Sequence, residues 1–394
     1  MPVPVLGVVA EYDPFHAGHA FHLAESRRLV RPDAVYVALS PCWTQRGLPA
    51  FLSPYDRAAC ALASGADAVF ALPVLWTLRD AEHYALGAVS LLAGLGITHL
   101  AFGAEVPDLS LLQPVADLLE DQPAPFQQTL KAVLSRGTGY PAAQAEAAES
   151  CIPGAGLLLS APNNTLAVCY LRVIRRLRLP LIPVIIPRRG SYHASGVHPD
   201  APSASAVREA LRRGDYGAAF SSLPPVSASR VRQALLSAVV PDPAAYDLLL
   251  RYALQRMPEE AFSCLPDAAE GLGDALSGLR FSACSFAEIS ASLTSRRYSS
   301  ARVSRLCAHA LLGVTAERLR RLSLPSDTLL LGLRPNHGMT AGWKDLPVRI
   351  WPNASEWRSA ADPEDLQAWR LWSLCCRQPA TLPFTEKTVT AGPL

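Results

Sequence analysis

A surplus of charge is missing from this chain: 36 Lys and Arg face 34 Asp and Glu, a net charge of +2 over 394 residues. The field of the whole molecule therefore does not announce nucleic-acid binding. Long apolar runs are missing too. No segment approaches the roughly eighteen uncharged apolar residues of a membrane span, and the stretch from Leu86 to Ala101 is interrupted by Gly and His. No Lys or Arg precedes the first apolar run and no cleavage pattern follows it, so a cytoplasmic location is expected. The 9 cysteines contain no Cys-x-x-Cys pair and no disulfide-framework spacing. That argues against structural zinc and for reduced thiols. Charged residues make up only 18% and apolar ones 50%, which excludes a disordered chain. The length suits two domains, or one large domain with an appendage.

The most informative stretch that is present lies at the start. Val3 to Ala10 has strand length and β-branched content and leads into Glu11-Tyr12-Asp13-Pro14-Phe15-His16-Ala17-Gly18-His19. Pro14 stops the strand, and Gly18 permits close backbone approach. Phe21, Leu23, Leu29 and Val30 then fit a helix. Strand, tight turn and helix start with two histidines is where an α/β sheet presents N–H groups and a positive dipole end to an anion such as a triphosphate. Imidazoles placed there can donate to phosphate oxygens and stabilise charge as pyrophosphate leaves.

The first half continues in a βα rhythm. Strands are expected at Ala34–Leu39, Ala68–Leu72, Ile97–Phe102 and Leu181–Ile186, with Pro183 arguing against a central position for the last. Helices are expected at Tyr55–Ala63, Ala81–Leu95 and Leu166–Leu177, with two more across Leu109–Leu134 broken at Pro123 and Pro125. The fold class is therefore α/β, a doubly wound, mostly parallel sheet. Ser203 opens a helix as an N-cap, Ser227 repeats the pattern, and Asn163 or Asn164 suits the cap of the long helix. Beyond about residue 240 helices dominate, with small strands at Thr328–Leu333 and Leu346–Ile350. The division is thus 1–240 for a nucleotide-binding catalytic domain and 241–394 for a mainly helical one.

Arginines cluster at Arg172, Arg175, Arg176 and Arg178, and again at Arg296, Arg297, Arg302 and Arg305, extended by Arg318, Arg320 and Arg321. Such clusters suit phosphate contacts or a solvated face. Turn-rich segments follow the strands: Ser40 to Gly47, Gly103 to Glu105, and Arg188-Arg189-Gly190-Ser191-Tyr192-His193. Cys42 reads as a structural thiol, Trp43 as a stacking or packing aromatic, and His83 and His99 as fold histidines. Glu105 either orders a loop or touches a ligand.

These segments together resemble the bacterial tRNA(Met) cytidine acetate ligase family, of the HIGH-type nucleotidyltransferase superfamily that also includes class I aminoacyl-tRNA synthetases. The resemblance rests on Glu11 to His19, Gln45 to Ala50, Gly65 to Pro73, Phe102 to Glu105, Pro162 to Asn164, Tyr192-His193, Ser203 to Arg208 and Thr294 to Arg305. It implies a Rossmann-like fold, ATP with Mg²⁺, acetate and elongator tRNA(Met) as partners, and no membrane association. The implied reaction activates acetate as acetyl-adenylate, then passes acetyl to the wobble cytidine to give N4-acetylcytidine. By the same resemblance His16, His19 and Arg188 are catalytic. ATP would be lined by Val9, Ala10, Glu11, Tyr12, Asp13, Pro14, Phe15, His16, Ala17, Gly18, His19, Ala20, Phe21 and His22, with Gly103, Asn163 and Arg188. No residue is assigned to a protein-held metal. The helical part would serve the tRNA.

The chain departs from the family at Pro54 and Pro187, where lysines are usual, at Pro41-Cys42-Trp43, and at Ala71. Arg46, Arg57 and Arg189 are the nearest cations to replace the lost lysines. Other readings of the same residues are a nucleotidyltransferase for a small phosphorylated metabolite and a noncatalytic RNA-binding paralogue.

Overall fold

The computed structural model describes residues 3–188, 203–334, 340, 342–377 and 387–391. The first half alternates β1 (Val5–Ala10), α1 (Ala17–Val30), β2 (Ala34–Leu39), α2 (Pro54–Ala63), β3 (Ala68–Ala71), α3 (Val74–Thr77), α4 (Ala81–Gly94) and β4 (His99–Ala104). Helices α5 (Leu109–Asp121), α6 (Ala124–Leu134), α7 (Tyr140–Cys151), α8 (Ala155–Ser160) and α9 (Pro162–Arg176) lead to β5 (Ile182–Pro187). Then come α10 (Ala204–Arg212), α11 (Tyr216–Ser221), α12 (Pro225–Leu236), α13 (Pro243–Arg256), α14 (Leu272–Leu279), α15 (Phe286–Leu293), α16 (Ser300–Leu312) and α17 (Ala316–Arg320). The chain closes with β6 (Asp327–Leu333), β7 (Arg349–Trp351), α18 (Ala354–Trp357), α19 (Pro363–Cys375) and β8 (Val389–Thr390).

The main strand order is β5-β4-β1-β2-β3-β6-β7. Pairing is parallel from β5 to β3, with Val5 opposite Ala34 and Leu6 opposite His99. β2 is buried at every position, as expected of a strand covered on both faces. β5 is an outer strand, in keeping with Pro183. β1 has β2 on one side and β4 on the other, so the order reverses there, and ligands of doubly wound sheets bind at that crevice.

Strand pairing and a shared core join the stretch after residue 240 to the sheet. β6 pairs antiparallel with β3 across Phe70 and Leu330, and Thr328 Oγ1 donates to the Ala71 carbonyl at 2.7 Å. One core joins Leu6, Leu39 and Leu62 with Leu306, Trp369 and Trp372. The expected strand at Leu346–Ile350 is shorter and later, Arg349–Trp351.

Other expectations change with burial. Ser203 caps α10, accepting from Ala206 N at 3.2 Å. Ser227 is not a cap: Pro225 opens α12 two residues earlier, and the buried Ser227 hydroxyl donates to the Phe15 carbonyl at 2.6 Å. Pro54 takes the first position of α2 behind the capping Ser53, a place that suits its fixed φ. Within the arginine clusters Arg172 and Arg305 turn inward to acids, while Arg175, Arg176, Arg178, Arg296, Arg297, Arg320 and Arg321 stay exposed. Arg172, 4% exposed, lies between Glu82 at 2.8 Å and Glu120 at 3.2 Å. Arg305 pairs with Asp267 at 2.9 Å, and Arg302 with Glu270 at 2.8 Å. Cys42 and Trp43 are fully buried, and Trp43 donates to the Ala368 carbonyl, so it packs rather than stacks on a base.

Asp365, in the first turn of α19, is 5% exposed and accepts from Val74 N at 2.6 Å. Burial pushes its carboxyl up to about 8; the Val74 N–H opposes this, and Asp362, Asp327 and Glu364 add to it. The unfolded group ionises near pH ~3.9. Its contribution to stability is therefore full below that value and is lost as pH rises toward about 8. Asp365→Asn keeps an acceptor for Val74 and removes the charge. The variant is expected to melt above the parent at pH 8, with the gap closing as pH falls toward ~4. Thermal melts at the two ends of that range check this, and a parental melting temperature at pH 8 contradicts it.

Candidate active site at the first strand-helix turn

β1 ends at the reversal point of the sheet, and the turn after it delivers His16 as the N-cap of α1. The two imidazoles complete a reciprocal cap. His16 Nδ1 accepts from Gly18 N at 3.1 Å, and His19 Nδ1 accepts from His16 N at 3.2 Å. The rings stack with centroids 3.7 Å apart. Both Nδ1 atoms being acceptors, each neutral ring carries its proton on Nε2. Burial, with Arg188 and Arg208 adding to it, pushes His16 down to about 3. Burial and then the charge of His16 depress His19, and burial pushes His22 down to about 4. The pair is thus neutral and fixed in one tautomer, with two N–H donors available to an oxyanion.

These residues line a cleft of about 520 Å³. Of the expected positions, Val9, Ala10, Glu11, Tyr12, Asp13, His16, Ala17, Gly18, His19, Phe21, His22, Gly103, Asn163 and Arg188 line it. Pro14, Phe15 and Ala20 do not: Pro14 and Phe15 are buried, and Ala20 packs against the core. A Cβ on Gly103 would meet His22 Cδ2 and the Ile186 carbonyl only at 3.9 Å. The protein's own packing therefore does not require glycine there, and the open space belongs to the cleft. Phe102, Leu166, Tyr170 and Ile186 give it an apolar wall.

Four arginines reach the cleft, Arg46, Arg188, Arg208 and Arg212. Arg208 was legible only as part of a capping motif. α10 carries it back to the turn, where it bonds the Asp13 carbonyl and lies 3.1 Å from Asp13 Oδ2. Arg57 does not supply a replacement cation. It is fully buried, donating from Nη1 to the carbonyls of Glu11 at 2.6 Å and Ser40 at 2.8 Å, and from Nε to that of Leu52 at 3.2 Å. Arg189, Tyr192 and His193 lie outside the described residues.

The cleft carboxylates are already engaged. Asp13 accepts from Phe51 N at 2.5 Å, and Glu11 from Gln45 N at 2.5 Å. Burial raises the Glu11 carboxyl, with the Gln45 N–H opposing. Among the described residues no group of three or more His, Cys, Asp or Glu side chains is placed to hold a metal ion. Glu105 resolves as a loop organiser: it accepts from Asn164 N at 2.9 Å and Asn163 Nδ2 at 2.5 Å, anchoring the start of α9 in place of an asparagine cap. Asn164 instead ties Val106 N to the Leu158 carbonyl.

Comparison with known proteins fits this geometry. Residues 3–340 match the family described as HIGH Nucleotidyl Transferase. The tRNA(Met) cytidine acetate ligase of Syntrophomonas wolfei is 31% identical over 404 aligned positions, covering 96% of each chain. The chain belongs to the tRNA(Met) cytidine acetate ligase family of HIGH nucleotidyl transferases. The ligase of Acetivibrio thermocellus is 30% identical over 95% of this chain and 96% of its own length. Among solved structures, Thermotoga maritima TmcAL bound with alpha-thio ATP is 26% identical with a TM-score of 0.89, covering 99% of this chain and 100% of that one. Its apo form gives a TM-score of 0.90 at 25% identity. The ligase-family fold is thus shared through the helical part as well as the nucleotide-binding half. Among the described residues no helix is long and apolar enough to cross a membrane.

Proposed function

We propose that this protein activates acetate with ATP and transfers the acetyl group to the exocyclic amine of the wobble cytidine in elongator tRNA(Met). The observation that carries the reading is the neutral His16–His19 pair, locked by its own backbone bonds at a switch-point cleft with Arg188 and Arg208 beside it. Support comes from the relatives named as tRNA(Met) cytidine acetate ligases and from the relative bound to alpha-thio ATP.

In the first step an acetate oxygen attacks the α-phosphorus, the bond to the β-phosphate oxygen breaks, and pyrophosphate leaves with the electron pair. The Nε2–H groups of His16 and His19 donate to phosphate oxygens as charge builds, and Arg188 with its planar fork engages two oxygens. Mg²⁺ brought with ATP would be held by phosphate oxygens and water, since Glu11 and Asp13 are committed to backbone N–H groups. In the second step the cytidine N4 attacks the acetyl carbonyl. The C–N bond forms, the C–O bond to AMP breaks, and the amine gives up a proton. The helical stretch from residue 241 holds the RNA.

Acetate-dependent exchange of labelled pyrophosphate into ATP tests the first step, and labelled acetate incorporation into tRNA the second. Exchange that requires acetate, followed by incorporation, is expected. Exchange that requires a phosphorylated metabolite instead, or no turnover despite RNA binding, overturns the reading.

A further inference from the structure

The clustered arginines divide by what holds them. Arg172, Arg175 and Arg176 donate to Glu82, Glu120, Asp117 and Asp121, and Arg302 and Arg305 donate to Glu270 and Asp267. Arg296 and Arg297 are not held in this way. They form the corner of a tight turn before α16, where Ser295 N donates to the Tyr298 carbonyl at 2.9 Å and Tyr298 N to Ser295 Oγ at 3.2 Å. The Tyr298 hydroxyl fastens the turn to the Glu270 carbonyl. Arg297 reaches Glu270 Oε2 only at 3.7 Å, and Arg302 already holds that oxygen at 2.8 Å.

The turn lies against the nucleotide half. Gly139, buried between α6 and α7, is so close to it that a Cβ would come within 2.7 Å of the Arg296 carbonyl oxygen and 3.1 Å of that of Arg297. Just before Gly139 stands Arg136, 67% exposed and 3.6 Å from Glu146. Just after it stands Tyr140, also exposed. Among the described residues the guanidiniums of Arg136, Arg296 and Arg297 have no hydrogen-bond partner. Two stretches far apart in sequence thus place three open cations and an aromatic ring along one seam.

α16 links that seam to the cleft. A Cβ on Gly47 would come within 2.6 Å of Arg305 N, and Thr44, Arg46, Leu48 and Pro49 of the same hairpin line the cleft. From the capping Ser299 to Arg305 the helix climbs about 9 Å, at ~1.5 Å per residue. A nucleotide strand with one base in the cleft therefore has the seam within reach of neighbouring phosphates.

We infer that the seam at Gly139 is a tRNA-docking surface built by both halves of the chain, with Arg136, Arg296 and Arg297 on backbone phosphates and Tyr140 under an unpaired base. This rests on the functional reading above and widens it, because the nucleotide half now contributes to holding the RNA. Guanidiniums free of acids, interleaved with an open ring, match the chemistry of a single-stranded RNA segment.

The test uses the full chain and an unmodified elongator tRNA(Met) transcript. None of the four side chains lines the cleft. Arg136→Ala and Arg297→Ala are therefore expected to keep acetate-dependent ATP–pyrophosphate exchange within about twofold. The slope of log K for tRNA against log salt should flatten by about 0.7–0.9 in each, the change for one lost phosphate contact. Tyr140→Leu should weaken tRNA binding about 5-fold or more at the parental slope, the scale of one lost stack. Arg178→Ala, which removes another exposed charge just past the end of α9, should change neither affinity nor slope. Arg136→Ala decides the matter, because it belongs to the nucleotide half. A parental slope in Arg136→Ala, or an equal flattening in Arg178→Ala, overturns the shared surface. A parent chain that binds the tRNA without acetate-dependent exchange overturns the functional reading instead, and the slopes still decide the surface.

Discussion

His19→Asn is expected to lower acetate-dependent pyrophosphate exchange by about 10²-fold or more while melting close to the parent, the scale of one lost transition-state donor. The amide of asparagine reaches the place of Nδ1, where it can accept from His16 N, but it has nothing at the place of Nε2. His19→Gln presents an amide at the Nε2 position and should retain more exchange than His19→Asn, at some cost in the cap. His19→Ala removes both functions and should lose stability as well as rate, because His16 N is left without its acceptor. Exchange rates together with melting curves for the three variants separate the roles. Full activity in His19→Asn would sink the assignment of Nε2 to the phosphates.

Arg57→Ala is expected to destabilise the protein by about 3 kcal/mol or more, the scale of removing a buried charged donor and leaving its partners unpaired. The guanidinium gathers the ends of β1 and β2 and the chain at Leu52, so its loss opens the switch point itself. Asp13, Cys42, Glu11 and Asp56 also lose a nearby positive charge. Arg57→Lys should not rescue it, since a single ammonium cannot serve three diverging carbonyls. Denaturant unfolding measures the loss; a parental midpoint in Arg57→Ala would show the arginine to be dispensable to the fold.

How much of this was legible followed from how local the physics is. The β1–α1 turn could be read because Pro14, Gly18 and the two histidines act on their immediate neighbours. The outer position of β5 showed in Pro183, and the break between α5 and α6 in Pro123. Ser227 misled because a capping pattern is also what a buried helical serine looks like when Pro225 has already begun the helix. The buried arginine of the first cluster was hidden for a different reason. Arg172 finds Glu82 and Glu120 only after α4, α5 and α9 pack together, and no spacing along the chain encodes that meeting. Arg208 and Arg57 show the same limit from both sides: one left its capping motif for the cleft, and the other left the cleft for the frame beneath it. Glu105 could be read as either loop or ligand residue until α9 was placed against it.

The antiparallel seam between β3 and β6 has a consequence for the newborn chain. Phe70 must wait for Leu330, about 260 residues later, before its edge of the sheet is paired. At translation speeds of about 5–20 residues per second, that is on the order of ten to fifty seconds on the ribosome with the apolar Ala-Val-Phe-Ala edge uncovered. An unpaired apolar edge is a template for wrong partners. Ribosomes stalled anywhere between β3 and β6 should therefore hold a nascent chain that aggregates or recruits chaperones, and release from that state should coincide with the emergence of Asp327–Leu333 from the exit tunnel.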